Sequence, residues 1–218
     1  MVLFGIPTML NKSFSLSLLI LLCTLANPFA AAKQFLPDAP NVDAKAWILV
    51  DADTGYVIAE QNADDTLPPA SLAKMMTTYI TSKEIAENRL KEDDVVVISD
   101  NAWELGGAKT DGSTMFLSPR SKVPVIDLMR GVIIQSGNDA AISLAEHISG
   151  GETAFSDNMN YQAELMGMTN TYYMNATGLP AEGMVTSARD LTILAKAIIN
   201  EHPEYYSIYS EKYFSHNN

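Results

Sequence analysis

Two short runs of β-forming residues, Ala46-Trp-Ile-Leu-Val50 and Tyr56-Val-Ile-Ala-Glu60, flank Asp51-Ala-Asp-Thr-Gly55 and predict a β-hairpin. Pro68-Pro69 forces an extended entry and then permits a helix. The spacing predicts that helix over residues 70–88, with Leu72, Met75, Met76, Tyr79 and Ile80 at i, i+3, i+4, i+7 and i+8 as a buried stripe. Residues 95–99 form a short strand candidate, and residues 105–114 read as a loop. A helix over 125–135 is followed by a turn at Ser136-Gly-Asn138 and a second helix over 139–149, closed by Gly150-Gly151. Residues 153–166 predict another helix. Ser187 can cap a helix over 188–200, with Asp190 in its first turn. The pattern is helix-rich, with its few strands early. Two early strands do not make a stable sheet alone. Either the helices bury the hairpin, or the sheet is completed beyond Ser215-His-Asn-Asn218, where the chain stops without a cap or closing element.

The N-terminal segment follows a different pattern. Residues 1–32 carry one cation, Lys12, and no acidic residue. An apolar run from Phe14 to Ala26 leads to Asn27-Pro28 and then Ala30-Ala31-Ala32, the small-x-small pattern of a signal-peptide cleavage site. The run is shorter than the roughly 20 residues a spanning helix needs. A lipid on Cys23 is disfavoured by the bulky Leu22 before it. The expected division is a signal peptide over 1–32, cleaved after Ala32, and an exported domain over 33–218. Cleavage removes Cys23, the single cysteine, so the exported domain has no disulfide.

Charge narrows the function classes. The 218 residues are 47% hydrophobic and 18% charged, which excludes a disordered chain. The net charge of −12 disfavours nucleic acid and anionic lipid surfaces as partners. His147, His202 and His216 lie far apart, and no Cys/His cluster has metal-ligand spacing, so neither a metal nor a cofactor is expected.

The residues that could do chemistry begin with Pro69-Ala-Ser71-Leu-Ala-Lys74-Met-Met-Thr77. Ser71 and Lys74 are three apart at the front of a helix, so their side chains share a face. A serine hydroxyl attacks well only when a neighbour takes its proton, and a lysine held neutral by burial can do so. The helix N-terminus favours negative charge developing beside Ser71. Ser-x-x-Lys alone is common by chance, and its plain alternative is a capping serine beside a solvated lysine. Ser136-Gly-Asn138, in a tight turn between two helices, can aim a hydroxyl and a carboxamide into a cleft, or can be an ordinary turn. Together the two motifs and their flanks exceed what chance supplies.

Pro-Ala-Ser-Leu-Ala-Lys-Met-Met-Thr closely resembles the first motif of the low-molecular-weight penicillin-binding proteins, the D-alanyl-D-alanine carboxypeptidases of the bacterial cell wall. Arg130-Gly-Val-Ile-Ile-Gln-Ser-Gly-Asn-Asp-Ala140 resembles their second motif, and Asp51-Ala-Asp-Thr-Gly55 and Thr186-Ser-Ala-Arg-Asp190 also match. The resemblance covers residues 33–218. It implies an α+β, β-lactamase/transpeptidase-like three-layer fold, with an antiparallel sheet of five strands between helices. It implies Ser71 as nucleophile, Lys74 as its base, Ser136 as a proton relay to the leaving D-alanine, and Asn138 as a substrate-binding residue that also positions the lysine. The implied substrate is a peptidoglycan pentapeptide ending in D-Ala-D-Ala, with β-lactam antibiotics as covalent inhibitors. The family's third motif, Lys-Thr-Gly, is absent. Lys109-Thr-Asp-Gly112 carries an inserted Asp and lies between the first two motifs. The chain therefore reads as the N-terminal part of a longer protein, with the C-terminal strands missing and membrane association only through a missing C-terminal segment. The resemblance places the complete protein in the periplasm, peripheral at the inner membrane, and leads one to expect weak activity from this chain alone.

Other readings compete. Ser99-Asp-Asn101 and Ser156-Asp-Asn158 match the literal second motif of class A β-lactamases, but position and flanks favour Ser136-Gly-Asn138. The Glu-x-x-Leu-Asn element of those enzymes is not found; Tyr161-Gln-Ala-Glu-Leu-Met166 does not match. A sensor or pseudoenzyme that is acylated without turnover is the reading from another class. His147 beside Glu146 reads as a surface residue, and Glu92-Asp-Asp94 as a solvated turn.

Overall fold

The computed structural model describes residues 39–107, 110 and 112–216, and residues 41–218 cluster as one unit. The signal-peptide reading of residues 1–32, Cys23 within it, and Lys109 of the rejected third motif lie outside the described residues. Strands β1 (Trp47–Val50) and β2 (Val57–Gln61) form the antiparallel hairpin. Its turn is tied by Asp51, whose carboxylate accepts from the Thr54 N–H and hydroxyl, and closed by Gly55 at φ 76°. That positive φ suits glycine, which has no Cβ to clash.

A 3-10 turn, Ala70–Ala73, runs into helix α1 (Lys74–Ala86). There follow β3 (Val95–Val97), α2 (Asp100–Gly106), β4 (Lys122–Pro124), α3 (Val125–Gln135), α4 (Asn138–Ser149) and α5 (Glu152–Met166). Helix α6 (Ala188–Glu201), α7 (Pro203–Tyr206) and a 3-10 turn, Ser207–Ser210, complete the described elements. Helix α1 packs against α3, α4, α5 and α6, which makes it the central element of the helical body. The core gathers around it, with Met76, Ile80, Leu128, Ile142, Phe155 and Leu194 all at most 1% exposed.

Several expectations hold. Helix α3 has the expected bounds, and Ser187 caps α6 by accepting from the Asp190 N–H. The α+β class holds as well. Others need correction. Leu72 does not join the buried stripe; it is 51% exposed, because residues 70–73 wind as a 3-10 turn rather than as α-helix. The loop expected over residues 105–114 starts later, because helix α2, begun by Ser99 accepting from the Ala102 N–H, runs through Gly106. Strand β4 carries Pro124, a residue that argues against a strand, but Pro124 occupies the last position of a three-residue pair with β3. Among the described residues the β-structure is two separate antiparallel pairs with isolated bridges at Leu67–Thr186 and Tyr172–Val185; the five-stranded sheet is expected only of the complete protein. The hairpin meets α6, while Leu49 and Ile58 remain 52% and 54% exposed. No described helix is long and apolar enough to cross a membrane.

Candidate active site

Ser71 lies in the 3-10 turn before α1, and Ala70 before it holds a left-handed φ of 47°. A non-glycine residue there carries backbone strain of roughly 1 kcal/mol or more, which the surroundings must hold in place. The loop 175–179 supplies that hold. Gly178, at φ 82°, packs so closely that a Cβ on it would stand 1.7 Å from the Ala70 carbonyl oxygen. Asn175 shapes the loop: its carboxamide oxygen accepts from the N–H groups of Thr177 and Gly178 and from the Thr177 hydroxyl. The result is an exposed serine on a fixed, kinked backbone.

Lys74 begins α1 and is buried, with 4% of its surface exposed. Its Nζ donates to the Thr177 carbonyl at 2.7 Å and lies 3.4 Å from Ser71 Oγ. Burial pushes the Lys74 amine down from its ordinary 10.5 to about 8. No carboxylate is paired with it among the described residues, so nothing offsets the cost of burying the charged form. A neutral amine here can keep one N–H on Thr177 and turn its lone pair toward Ser71. The 3.4 Å separation is loose for a hydrogen bond, as unliganded catalytic pairs often are. Behind the loop, the Ala176 carbonyl accepts from Thr77 Oγ1, and the Ala176 N–H donates to Glu152, whose pKa burial raises.

Ser136 ends α3 in a left-handed conformation, φ 57°, and this turns its side chain out of the helix path. Its Oγ is buried and has no hydrogen-bond partner among the described residues. A buried, unpaired hydroxyl costs about 1–3 kcal/mol, so it is an unsatisfied group at a place where a ligand can satisfy it. A cavity of about 220 Å³ brings it together with the first motif. Ser71, Lys74, Met75 and Thr78 form one wall, Val132, Ile133 and Ser136 another, and Leu72 and Tyr209 complete the lining.

Asn138 is placed differently. It starts α4, is 4% exposed, and packs against Gly112, but it is not part of that cavity's lining. Its N–H donates to the Ser113 carbonyl. Asp139 beside it went unremarked in the sequence, yet it organises the loop in front of the second motif. Its carboxylate accepts from the Thr114 hydroxyl and from the N–H groups of Met115, Leu117 and Ala140. The available signal was a carboxylate in the first turn of a helix, where its charge is favoured. Tyr209 was also missed; nothing in its spacing links it to a motif more than 70 residues earlier.

The competing motifs have structural explanations. Ser99 is the cap of α2, and Asn101 donates to Glu146. Ser156 donates to the Glu152 carbonyl inside α5, and Asn158 accepts from Gln162. His147 is exposed. Glu92 accepts from the Tyr205 hydroxyl, and among the described residues no cluster of His, Cys, Asp and Glu could hold a metal ion.

Residues 33–218 match the family described as D-alanyl-D-alanine carboxypeptidase, Peptidase S11. The D-alanyl-D-alanine carboxypeptidase DacC of Escherichia coli K12 is 45% identical over 191 residues, which are 87% of this chain and 48% of that protein. The crystal structure of penicillin binding protein 5 from Haemophilus influenzae superposes with a TM-score of 0.80 at 39% identity, over 83% of this chain and 52% of the other. Penicillin-binding protein D2 of Listeria monocytogenes, solved in its ampicillin-bound form, gives a TM-score of 0.67 at 28% identity, over 77% of this chain and 66% of the other. The chain spans about half the length of the curated relatives it matches.

Proposed function

The chain belongs to the D-alanyl-D-alanine carboxypeptidase family, and from that premise we propose that it carries the acylation half of a serine carboxypeptidase site. The observation that carries the reading is the pairing of an exposed Ser71 with a buried Lys74, Nζ 3.4 Å from Oγ, in a cavity shared with Ser136. Lys74 takes the Ser71 proton as Oγ attacks the carbonyl between the two terminal D-alanines of a peptidoglycan stem peptide. The Ser71 backbone N–H, at the start of a helix, stabilises the developing oxyanion. Ser136 relays the proton that Lys74 took to the leaving D-alanine nitrogen, which returns Lys74 to its neutral form. Water then cleaves the acyl-serine, with Lys74 as base, and leaves the peptide one residue shorter. Asn138 contributes by binding the substrate peptide once it is seated. β-Lactams acylate the same Oγ. The reaction belongs outside the cytoplasm, a reading supported by the signal-peptide pattern of residues 1–32. Peripheral attachment of the complete protein to the inner membrane is part of the same reading.

The test is incubation with a labelled penicillin, followed by mapping of the modified peptide and by assay of D-alanine release from a peptide ending in D-Ala-D-Ala. A slowly lost adduct on Ser71 with peptide turnover supports the carboxypeptidase. Rapid loss of the adduct makes the site a β-lactamase, and a permanent adduct without turnover makes it a sensor. Absence of any adduct on Ser71 overturns the assignment.

A further inference from the structure

Tyr209 sits where no motif directs attention. It belongs to the 3-10 turn Ser207–Ser210, which packs on α3, and it is the one lining residue of the Ser71–Lys74–Ser136 cavity that comes from outside α1, α3 and the turns adjoining them. Its hydroxyl is 2.9 Å from Thr78 Oγ1. Thr78 Oγ1 also reaches the carbonyls of Lys74 and Met75, and either hydroxyl can donate in the bond between Tyr209 and Thr78. Thr78 lies one helical turn beyond Lys74, on the same face. The ring is thereby fastened to the helix that carries the lysine, while 41% of the residue faces outward. It stands as a wall between the cavity and solvent.

We infer that Tyr209 is a positioning residue for the base: its ring, held by Thr78, keeps water off Lys74 and so keeps the amine available in its neutral form. The inference rests on the reading of Lys74 as base. The other groups near the cavity do not supply the effect. Helix α3 faces Lys74 with Val132 and Ile133, and the loop 175–179 with a carbonyl. The Asp139 carboxylate is occupied by the 114–117 loop, and Glu152 of α5 by Ala176. Glu201 of α6 accepts from Tyr79, farther along α1, and Glu211, next to the Tyr209 turn, pairs with Arg130. Burial also raises the Tyr209 hydroxyl, which stays protonated while the lysine titrates.

The test is competitive acetylation of the 218-residue chain with trace acetic anhydride across pH, reading Lys74 by mass spectrometry. In the wild type Lys74 is expected to titrate at about 8. Tyr209→Phe keeps the ring but gives up its bond to Thr78, and is expected to move that midpoint by less than Tyr209→Ala does. Tyr209→Ala admits water and moves it up by about one unit, which lowers the neutral fraction at pH 7 about tenfold. If Tyr209→Ala does not fold, Tyr209→Leu replaces it, with a shift expected in the same direction. A merely structural tyrosine lowers the melting temperature without moving the midpoint, and an unmoved midpoint in a folded variant sinks the proposal. So does a wild-type midpoint at the ordinary 10.5. Acetylation reads the amine itself, so a failure of Ser71 to take up penicillin overturns the proposed function and leaves this result standing.

Discussion

Lys74 Nζ lies 2.7 Å from the carbonyl oxygen of Thr177, a residue 103 positions further along the chain. This contact gives the lysine a neutral acceptor rather than a carboxylate. An opposite charge would hold the ammonium protonated; a carbonyl in a buried site does so far less. Acylation of Ser71 by labelled penicillin is accordingly expected to rise with pH through about 8 and level off above it. Lys74→Met should slow it by roughly 10²–10⁴-fold, the usual worth of a general base. A pH-independent wild-type rate between 6 and 10 contradicts this role.

The same shift has a stability sign. The unfolded lysine binds its proton up to 10.5, the folded one only up to about 8. Between those values the unfolded chain holds more protons, so stability should rise with pH there and be lowest below 8. The stability difference between wild type and Lys74→Met, measured by denaturant unfolding, should therefore change in the wild type's favour from pH 7.5 to pH 10.

Gly178→Ala probes the loop from the other side. The new Cβ meets the Ala70 carbonyl oxygen at 1.7 Å in a backbone conformation already unfavourable for alanine. A loss of about 2 kcal/mol or more is expected, together with slower acylation, because Ser71 and Thr177 are both displaced. A melting temperature and acylation rate equal to wild type would show that the loop yields without moving either.

Ser136→Ala and Ser99→Ala should separate site from scaffold. Among the described residues Ser136 Oγ has no partner to lose, so its removal should leave the melting temperature unchanged or slightly higher and slow acylation sharply. Ser99→Ala removes a helix cap and should cost about 1 kcal/mol of stability, with acylation intact. The opposite pattern reassigns the second motif.

Asp139→Ala leaves a hydroxyl and three backbone N–H groups without their acceptor. A loss of roughly 3 kcal/mol or more follows from several charge-assisted bonds acting together. Limited proteolysis should then cut within 113–117, a segment otherwise pinned to α4. Resistance equal to wild type at matched stability argues that other contacts hold that loop.

Much of the fold could be read along the chain. The bounds of α3 and the cap of α6 followed from local signals, a hydrophobic period and a serine before it. Helix α1 was harder to read because it is buried on nearly every side, including Thr77, Thr78, Thr81 and Ser82. Thr78, Thr81 and Ser82 donate to carbonyls four residues back, so polar letters occupy core positions without an orphaned group. Ser71 and Lys74 could be recognised because their relation is local. The Thr177 carbonyl, the close approach of Gly178 and the Tyr209 wall could not, since each is a contact across at least a hundred residues. Strand β4 was hidden by its proline, and α2 by its shortness.

The distance between Lys74 and Thr177 along the chain also orders events in time. During synthesis the segment bearing Ser71 leaves the ribosome long before Thr177 has been added. Until then Lys74 is an ordinary hydrated ammonium, and Ser71 has no neighbour able to take its proton. Ser71 therefore gains its activated base only once the segment through Thr177 has been made. Chains stalled short of residue 177 should take up no labelled penicillin, and uptake by such chains would show that the serine is activated without its loop.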